Sequence, residues 1–289
     1  MIKAWIEAMR LRTLPVSLAG VTAAWGVSMM NPGGYDAEVI VACYLFALLC
    51  QISSNFANEY YDFKKGLDRP GREGPRRGVT EGDITPGAMR DATFGTLAVA
   101  CLIGLWIASQ GGWWLIGAGV LIALGVLAYS TGPYPLSHHG MGEIAVIFFF
   151  GIIPVNLTAY VATGVFSTEA LLVSLSIGLM GANVLIVNNY RDVEDDRAVG
   201  KHTLAVIAGR RVVATIYMMN GIISQAVLIP IWQSLSSGWI VSALYLLIHV
   251  ALYSMLTTRR GASLTPVLGM TAVTMMVFAL MFVTLWLIS

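Results

Sequence analysis

Long runs of apolar residues, separated by shorter polar segments, make up most of the chain. Nine runs can be recognised, and each is close to the ~20 residues with which an α-helix crosses a bilayer. They span residues 14–30, 39–60, 92–109, 113–129, 144–162, 170–189, 212–232, 240–256 and 264–287. The pattern predicts an all-α polytopic membrane protein with about nine transmembrane helices in a single bundle. No domain boundary interrupts it, so we expect residues 1–289 to form one integral membrane domain.

Composition agrees with this interpretation. Of the 289 residues, 57% are hydrophobic and 11% are charged, whereas a soluble domain carries about 25% charged residues. The cysteines, Cys43, Cys50 and Cys101, all lie within apolar runs and lack the spacing of metal ligands, so we interpret them as packing residues.

The distribution of charge predicts the orientation in the membrane. With the N-terminus inside, nine helices place every Lys and Arg on the inner side. The outer loops then keep only acids, namely Asp36, Glu38 and Glu169. This distribution follows the positive-inside rule, so we expect the N-terminus and the two long polar loops to be cytoplasmic.

Acidic and amide side chains follow the sixth apolar run, where the predicted helix ends. Asn188, Asp192 and Asp196 are spaced four residues apart, and Asp195 adjoins them, so they share one face of a helix. Such a face is costly at the end of a membrane helix unless a cation fills it. Oxygen-only ligands favour a hard cation such as magnesium, which bridges carboxylates and substrate phosphates. The alternative is a solvated loop with ordinary acids, and the paired amides at Asn188 and Asn189 weaken it.

A similar segment follows the second apolar run. It contains Asn55, Asn58, Glu59 and Asp62, with Asp68 a few residues beyond. The second and sixth helices run in the same direction across the membrane, so both acidic ends face the same side. The sequence therefore predicts two halves of one site for metal and diphosphate.

The loop after the second helix is also basic, with Lys64, Lys65, Arg69, Arg72, Arg76 and Arg77. One role of these residues is topological, because Lys and Arg hold a loop on the inner side. Their closeness to Asp62 and Asp68 predicts a second role, the binding of diphosphate oxygens, and Lys201 is a further candidate.

A third polar segment, Tyr129-Ser130-Thr131-Gly132-Pro133-Tyr134-Pro135, ends the fourth helix on the same side. Its Gly and Pro residues predict a turn, and the hydroxyls of Tyr129 and Ser130 are candidate phosphate donors. His138 and His139 lack partners at a useful spacing, so we do not expect a zinc site. We interpret His249 and Asn220, isolated in apolar runs, as interhelical hydrogen-bonding groups.

These segments resemble the UbiA superfamily of intramembrane aromatic prenyltransferases. The first family motif, Asn-Asp-x-x-Asp followed by a further Asp, is similar to Asn58-Glu59-Tyr60-Tyr61-Asp62 with Asp68 beyond, and Glu59 replaces the usual Asp. The second motif, Asp-x-x-x-Asp, is similar to Asp192-Val193-Glu194-Asp195-Asp196. Residues 12–15, 55–62, 74–78, 129–136 and 188–204 most resemble the branch that acts on 1,4-dihydroxy-2-naphthoate in menaquinone synthesis.

The resemblance implies transfer of a polyprenyl group from polyprenyl diphosphate to dihydroxynaphthoate, with decarboxylation to demethylmenaquinone and with Mg²⁺ as cofactor. It implies catalytic roles for Asp62, Asp192 and Asp196. The expected metal-binding residues are Asn58, Asp62, Asp68, Asn188, Asp192 and Asp196. The expected diphosphate-binding residues are Lys65, Tyr129, Ser130, Arg191 and Lys201. The expected location is the inner (plasma) membrane of a bacterial cell, among membrane lipids and with no nucleic-acid partner.

Two alternatives stay open at this stage. Another enzyme of the superfamily would act on a different acceptor, such as 4-hydroxybenzoate. An ion-coupled transporter would also carry intramembrane carboxylates and half-repeats, although near the bilayer midplane rather than at helix ends. The sequence also leaves open the prenyl chain length, the oligomeric state, and whether Glu59 or Asp68 binds metal directly.

Overall fold

The computed structural model describes residues 2–68 and 76–288, and within these ranges every regular element is helical. The helices are α1 (Ile2–Ala8), α2 (Leu14–Met29), α3 (Ala37–Lys64), α4 (Pro86–Gly111), α5 (Leu115–Ala128), α6 (Gly142–Val146), α7 (Ile153–Thr163), α8 (Thr168–Arg191), α9 (Val193–Ala198), α10 (Leu204–Ala226), α11 (Ile229–Ser234), α12 (Gly238–Thr258) and α13 (Thr265–Ile288). A π-helical segment, Ile147–Ile152, joins α6 to α7, and short 3₁₀ turns cover Leu11–Thr13, Leu136–His138 and Gly261–Leu264. The predicted all-α fold is confirmed.

Seven helical segments in the described ranges are long and apolar enough to cross a membrane. They are α3, α4, α6 with α7 (Gly142–Thr163), α8, α10 with α11 (Leu204–Ser234), α12, and Gly261–Ile288. The other two predicted runs are also helical, but α2 has 16 residues and α5 has 14. At about 1.5 Å per residue these two fall short of a ~30 Å hydrocarbon core. The predicted count of nine spanning helices is therefore not confirmed.

Several helix boundaries differ from the sequence prediction, and capping explains two of them. Helix α3 begins at Ala37 because the Asp36 carboxylate accepts hydrogen bonds from the N–H groups of Glu38 and Val39. Helix α4 begins six residues before the predicted run, at Pro86, because the Thr85 hydroxyl accepts from the Ala88 N–H. Helix α10 begins at Leu204 and not at 212, and it bends at Gly209, whose φ of 82° lies in the left-handed region.

Helix α8 lies at the centre of the bundle. It packs against α2, α10, α13 and the π-helical segment, and its buried residues include Ile177, Met180, Ile186 and Val187. Glycines allow the π-helical segment to approach closely: a Cβ on Gly151 would lie 2.4 Å from the Ser174 carbonyl oxygen, and one on Gly178 would lie 2.9 Å from that of Ile147. This packing fixes the end of α8 at which the second acidic motif lies.

The polar end of the bundle is covered by α1 and the segment after residue 75. Ala4 and Ala8 of α1 pack with Phe56 of α3 and with Val79 and Ile84. This small apolar cluster holds the N-terminal segment beside the first acidic motif.

Candidate active site

A cavity of about 430 Å³ lies at the polar end of the bundle, where α3 and α8 end. Eight of the residues predicted for the site line it: Asn58, Asp62, Tyr129, Asn188, Arg191, Asp192, Asp196 and Lys201. The two acidic motifs therefore meet in one cavity, although more than 120 residues separate them along the chain. Lys65, Asp68 and Ser130 do not line the cavity.

Asp62 connects the two halves of the site. Its side chain is buried, and Oδ2 accepts a hydrogen bond from Lys201 Nζ at 2.9 Å. His138 Nε2 lies 3.6 Å from Oδ1. A carboxylate buried in this way requires a cationic partner, which Lys201 supplies from the loop after α9, while His138 approaches from the loop after α5.

Asn58 lies one helical turn before Asp62 and is the centre of a second group of contacts. Its Oδ1 accepts hydrogen bonds from Arg10 and from Arg77. Its Nδ2 donates to Ser130 Oγ at 3.2 Å and to Asp62 Oδ2 at 3.4 Å. The first motif is thus tied to the N-terminal segment, to the loop after α3 and to the end of α5.

The second motif lies at the junction of α8 and α9. Asp192 follows the last residue of α8, and α9 begins at Val193, so the chain continues in a nearly helical path. Arg191 donates to both carboxylate oxygens of Asp192, with Nη2 at 2.8 Å from Oδ2, and also to Asn188 Oδ1 at 2.9 Å. Asp192 and Asp196 are both buried. The junction therefore presents acidic and amide oxygens together with a guanidinium group.

Three predicted site residues lie beside the cavity. Lys65 Nζ donates to the Ser130 carbonyl oxygen at 3.0 Å, so these two residues support each other at the edge of the site. Asp68 Oδ2 lies 3.4 Å from Arg77 Nε. Their roles in binding metal or diphosphate stay predictions.

Glu59, which replaces the usual Asp of the first motif, is turned away from the cavity. It is 1% exposed, and Oε1 accepts a hydrogen bond from the Val79 N–H at 3.0 Å. The longer arm therefore reaches the turn after residue 76 and holds it against α3.

Part of the basic loop lies outside the described residues, namely Arg69, Arg72 and the Gly74–Pro75 part of the predicted motif. Arg76 donates a hydrogen bond to Asp83. This hydrogen bond lowers the pKa of the Asp83 carboxyl from its ordinary value. Arg77 is buried, whereas Arg76 is exposed at the rim.

The sequence prediction missed three residues that the structure brings to the site: Arg10, His138 and Asn189. Arg10 was assigned to topology only, whereas it contacts Asn58. Arg77, which was among the basic-loop residues predicted to bind diphosphate, contacts Asn58 as well. His138 was considered only as a zinc ligand. Asn189, next to Asn188, was taken as part of the helix end, and it too lines the cavity.

A second cavity, of about 150 Å³, lies deeper between α2, α3, α5 and α7. Its walls are largely apolar and include Phe46, Ile122, Phe149 and Leu157. Tyr129 lines both cavities, so it marks the boundary between the polar and the apolar space.

The donor set at the polar cavity fits a hard divalent cation. Carboxylate and amide oxygens of Asn58, Asp62, Asn188, Asp192 and Asp196 line it, and oxygen ligands are those that Mg²⁺ takes. In the part of the chain that the structure describes, no three acidic, histidine or cysteine side chains already form a metal cluster. Mg²⁺ usually keeps waters and binds through one or two carboxylates together with substrate phosphates.

A membrane-embedded helical bundle with a polar, charged cavity above an apolar one is suited to an enzyme whose substrate has an anionic head and a lipid tail. The chain belongs to the UbiA prenyltransferase family, whose match covers residues 19–265. The alternative of an ion-coupled transporter is therefore set aside.

Among curated relatives, the 1,4-dihydroxy-2-naphthoate octaprenyltransferase of Haemophilus influenzae is 35% identical over 215 residues, 72% of this chain and 70% of the relative. The protein of the same name from Mycobacterium tuberculosis is 32% identical over 278 residues, 96% of this chain and 94% of the relative.

Solved structures support the fold. A UbiA homolog from Archaeoglobus fulgidus bound to DMAPP and Mg²⁺ aligns with a TM-score of 0.70 at 14% identity, covering 97% of this chain and 99% of that one. The apo UbiA homolog from Aeropyrum pernix K1 aligns with a TM-score of 0.71 at 12% identity, covering 95% and 96%.

Proposed function

We propose that the protein transfers a polyprenyl group from polyprenyl diphosphate to 1,4-dihydroxy-2-naphthoate, with loss of the ring carboxylate, and so forms demethylmenaquinone in its reduced, hydroquinone form. The observation that carries the proposal is the single polar cavity in which both acidic motifs meet, joined through Tyr129 to an apolar cavity. The names of the relatives in Haemophilus influenzae and Mycobacterium tuberculosis support the choice of acceptor. The proposal treats residues 1–289 as one domain, since α2 near the start of the chain packs against α13 at its end.

Asp62, Asp192 and Asp196 would hold Mg²⁺ together with Asn58 and Asn188, and Asp68 would assist from the edge. When bound, the cation supplies neutralisation of the diphosphate and of the charge that develops as this group leaves. This assignment fits the all-oxygen donor set of the cavity. It also agrees with the Archaeoglobus fulgidus homolog, whose structure was solved with DMAPP and Mg²⁺ bound.

Basic and hydroxyl groups complete the shell of the diphosphate in this proposal. Lys201 and Arg191 line the cavity and are bound to Asp62 and Asp192, so each is already placed beside an expected metal ligand. Lys65, Tyr129 and Ser130 lie at the wall and the edge. Arg10 and Arg77 add two guanidinium groups, which bind phosphate oxygens well.

The prenyl chain would extend past Tyr129 into the apolar cavity and from there between helices into the bilayer. Departure of diphosphate breaks the C1–oxygen bond and leaves an allylic carbocation, which the apolar walls shield from water. The electron-rich naphthalene ring forms the new carbon–carbon bond with C1. The ring carboxylate then leaves as carbon dioxide, and its electron pair restores the aromatic ring. The product of this step is the hydroquinone, demethylmenaquinol, and its two-electron oxidation to demethylmenaquinone takes place outside this site.

The orientation in the membrane belongs to the same proposal. All Lys and Arg residues fall on one side of the predicted topology, so we place the N-terminus and the polar cavity on the cytoplasmic side of a bacterial inner (plasma) membrane. The expected partners are the two substrates and the surrounding lipids.

The test supplies purified membranes with Mg²⁺, one polyprenyl diphosphate and either dihydroxynaphthoate or 4-hydroxybenzoate. We expect demethylmenaquinone with stoichiometric carbon dioxide from the first acid, and loss of this activity in chelator. If only prenylated 4-hydroxybenzoate forms, with its carboxylate retained, the acceptor is wrong and the family assignment stands. Full activity in chelator contradicts the metal requirement.

A further inference from the structure

Glu143 is a buried carboxyl group that the proposed reaction does not use. It lies in the first turn of α6 and is 6% exposed. Its Oε1 accepts a hydrogen bond from Asn189 Nδ2 at 2.9 Å. Within the described residues, Oε2 is buried without a hydrogen-bond partner. A buried carboxyl group with so few partners costs free energy, and Asn189 is the side chain to which Glu143 is hydrogen-bonded.

Asn189 lines the polar cavity, next to Asn188 and three residues before Asp192. Its NH₂ group donates to Glu143 Oε1, which fixes the orientation of the amide. The amide oxygen, Oδ1, is then the acceptor of Asn189 that is left for a molecule in the cavity. Glu143 thus gives this part of the wall the character of a hydrogen-bond acceptor.

This part of the wall lies close to the boundary between the two cavities. A methyl group placed on Gly142, the neighbour of Glu143, would lie 4.0 Å from the hydroxyl of Tyr129, which lines both cavities. The reacting carbon of the prenyl donor joins the diphosphate to the lipid chain, so it must lie at this boundary. The aromatic acceptor has to reach the same place.

We propose that Glu143 is a positioning residue that holds the Asn189 amide so that Oδ1 accepts a hydrogen bond from a ring hydroxyl of the aromatic acceptor. The inference rests on the proposed function and extends it to the recognition of the acceptor. A site built to bind a hydroxyl in this way rejects analogues that lack it, because the buried acceptor is then left unpaired. Asn189 would therefore help to orient the ring towards the prenyl carbon.

The experiment changes which of the two side chains, Glu143 or Asn189, donates the hydrogen bond. It uses the full-length protein in detergent. In Glu143→Gln, the new amide donates to Asn189 as readily as it accepts, so the orientation of Asn189 is no longer fixed. We expect the acceptor KM to rise about tenfold and the prenyl diphosphate KM to stay within about twofold. Glu38→Gln, at an exposed acid in the first turn of α3, is the matched control.

The double variant Glu143→Gln/Asn189→Asp provides the rescue. The new glutamine amide donates to one carboxylate oxygen, and the other oxygen remains an acceptor for the cavity. We expect Asn189→Asp alone, which places two carboxylates in contact, to lower kcat/KM about 100-fold. The double variant should return the acceptor KM to within about threefold of wild type.

Three outcomes overturn the inference: a wild-type acceptor KM in Glu143→Gln, an equal rise of both KM values, or a double variant whose melting temperature recovers while its acceptor KM does not. The last result would indicate a structural pair only. Failure of the proposed function is recognised separately, because wild-type protein would then form no prenylated naphthoate with any donor.

Discussion

Asp62 illustrates how a single side chain joins distant parts of this chain. It lies at the end of α3, yet its contacts are Lys201 and His138, from the loops after α9 and α5. Neither contact can be deduced from spacing, because the partners are far away in sequence. The same holds for Asn58, which meets Arg10 and Arg77.

We expect Asp62→Asn to lower kcat/KM by about 100-fold or more. The amide removes one charged oxygen ligand and leaves Lys201 buried without its carboxylate, and both effects weaken binding of the leaving group. Steady-state transfer of labelled polyprenyl diphosphate measures the change. Glu194→Gln is the control, because Glu194 is largely exposed and its ion pairs contribute little. Turnover near wild type in Asp62→Asn would refute a metal or leaving-group role.

Glu59 leads to a contrasting prediction. Its carboxylate holds the Val79 N–H and is turned away from the cavity, and glutamine retains an acceptor oxygen for the same bond. We expect Glu59→Gln to lower stability by about 1 kcal/mol and to leave the Mg²⁺ concentration for half-maximal activity within about twofold. The test measures transferase activity against Mg²⁺ concentration for Glu59→Gln and for Asp192→Asn. If the Mg²⁺ concentration for half-maximal activity rises equally in both variants, Glu59 has a direct role in binding the metal.

At the scale of elements, the close packing of α8 on the π-helical segment sets the position of the second motif. We expect Gly178→Ala to destabilise the protein by about 1–3 kcal/mol, because the added methyl group meets the Ile147 backbone. Gly117→Ala is the control, since a Cβ on this glycine of α5 has no neighbour within 4 Å. Thermal unfolding in detergent compares the two variants, and equal melting temperatures would contradict the packing argument.

Hydropathy was sufficient to locate the membrane helices because each carries its own apolar signal. The exceptions have local causes. Helix α10 is not continuous: the backbone is not helical at Gly209, so a short helical stretch from Leu204 precedes the predicted run. The π-helical segment depends on Gly151 meeting Gly178 across two helices, and this contact has no signature in either run alone.

The residues of the site likewise fall into those that the sequence predicts and those that it does not. Carboxylates and amides repeated at helix ends predicted five of the residues that line the cavity, and basic and hydroxyl groups near them predicted three more. The pairing of Glu143 with Asn189 could not be predicted, because it joins single polar residues on separate helices through one hydrogen bond. Asp68 and Lys65 lie in the right region, yet loop geometry directs both of them to neighbours at the edge.

At the scale of the whole molecule, the first and last long helices close the bundle, and Gly26 of α2 lies against Phe282 of α13. Apolar side chains such as Leu102, Val120 and Leu247 face outwards from α4, α5 and α12. A surface of this kind suits lipid rather than water. The charged cavity lies at one end only, so the orientation in the membrane decides from which side diphosphate enters and leaves.

The last prediction tests this orientation by cysteine labelling in intact cells, in a background in which the exposed Cys101 is replaced by serine. Arg197 of α9 lies beside the polar cavity and is exposed, whereas Asn31 and Ser237 lie in the short turns after α2 and before α12. If Lys and Arg mark the cytoplasmic side, Asn31→Cys and Ser237→Cys react with a membrane-impermeant maleimide. Arg197→Cys then reacts only after the cells are permeabilised, which also confirms that this thiol is accessible. Labelling of Arg197→Cys in intact cells would invert the topology and would place the polar cavity on the outer face, away from cytoplasmic prenyl diphosphate.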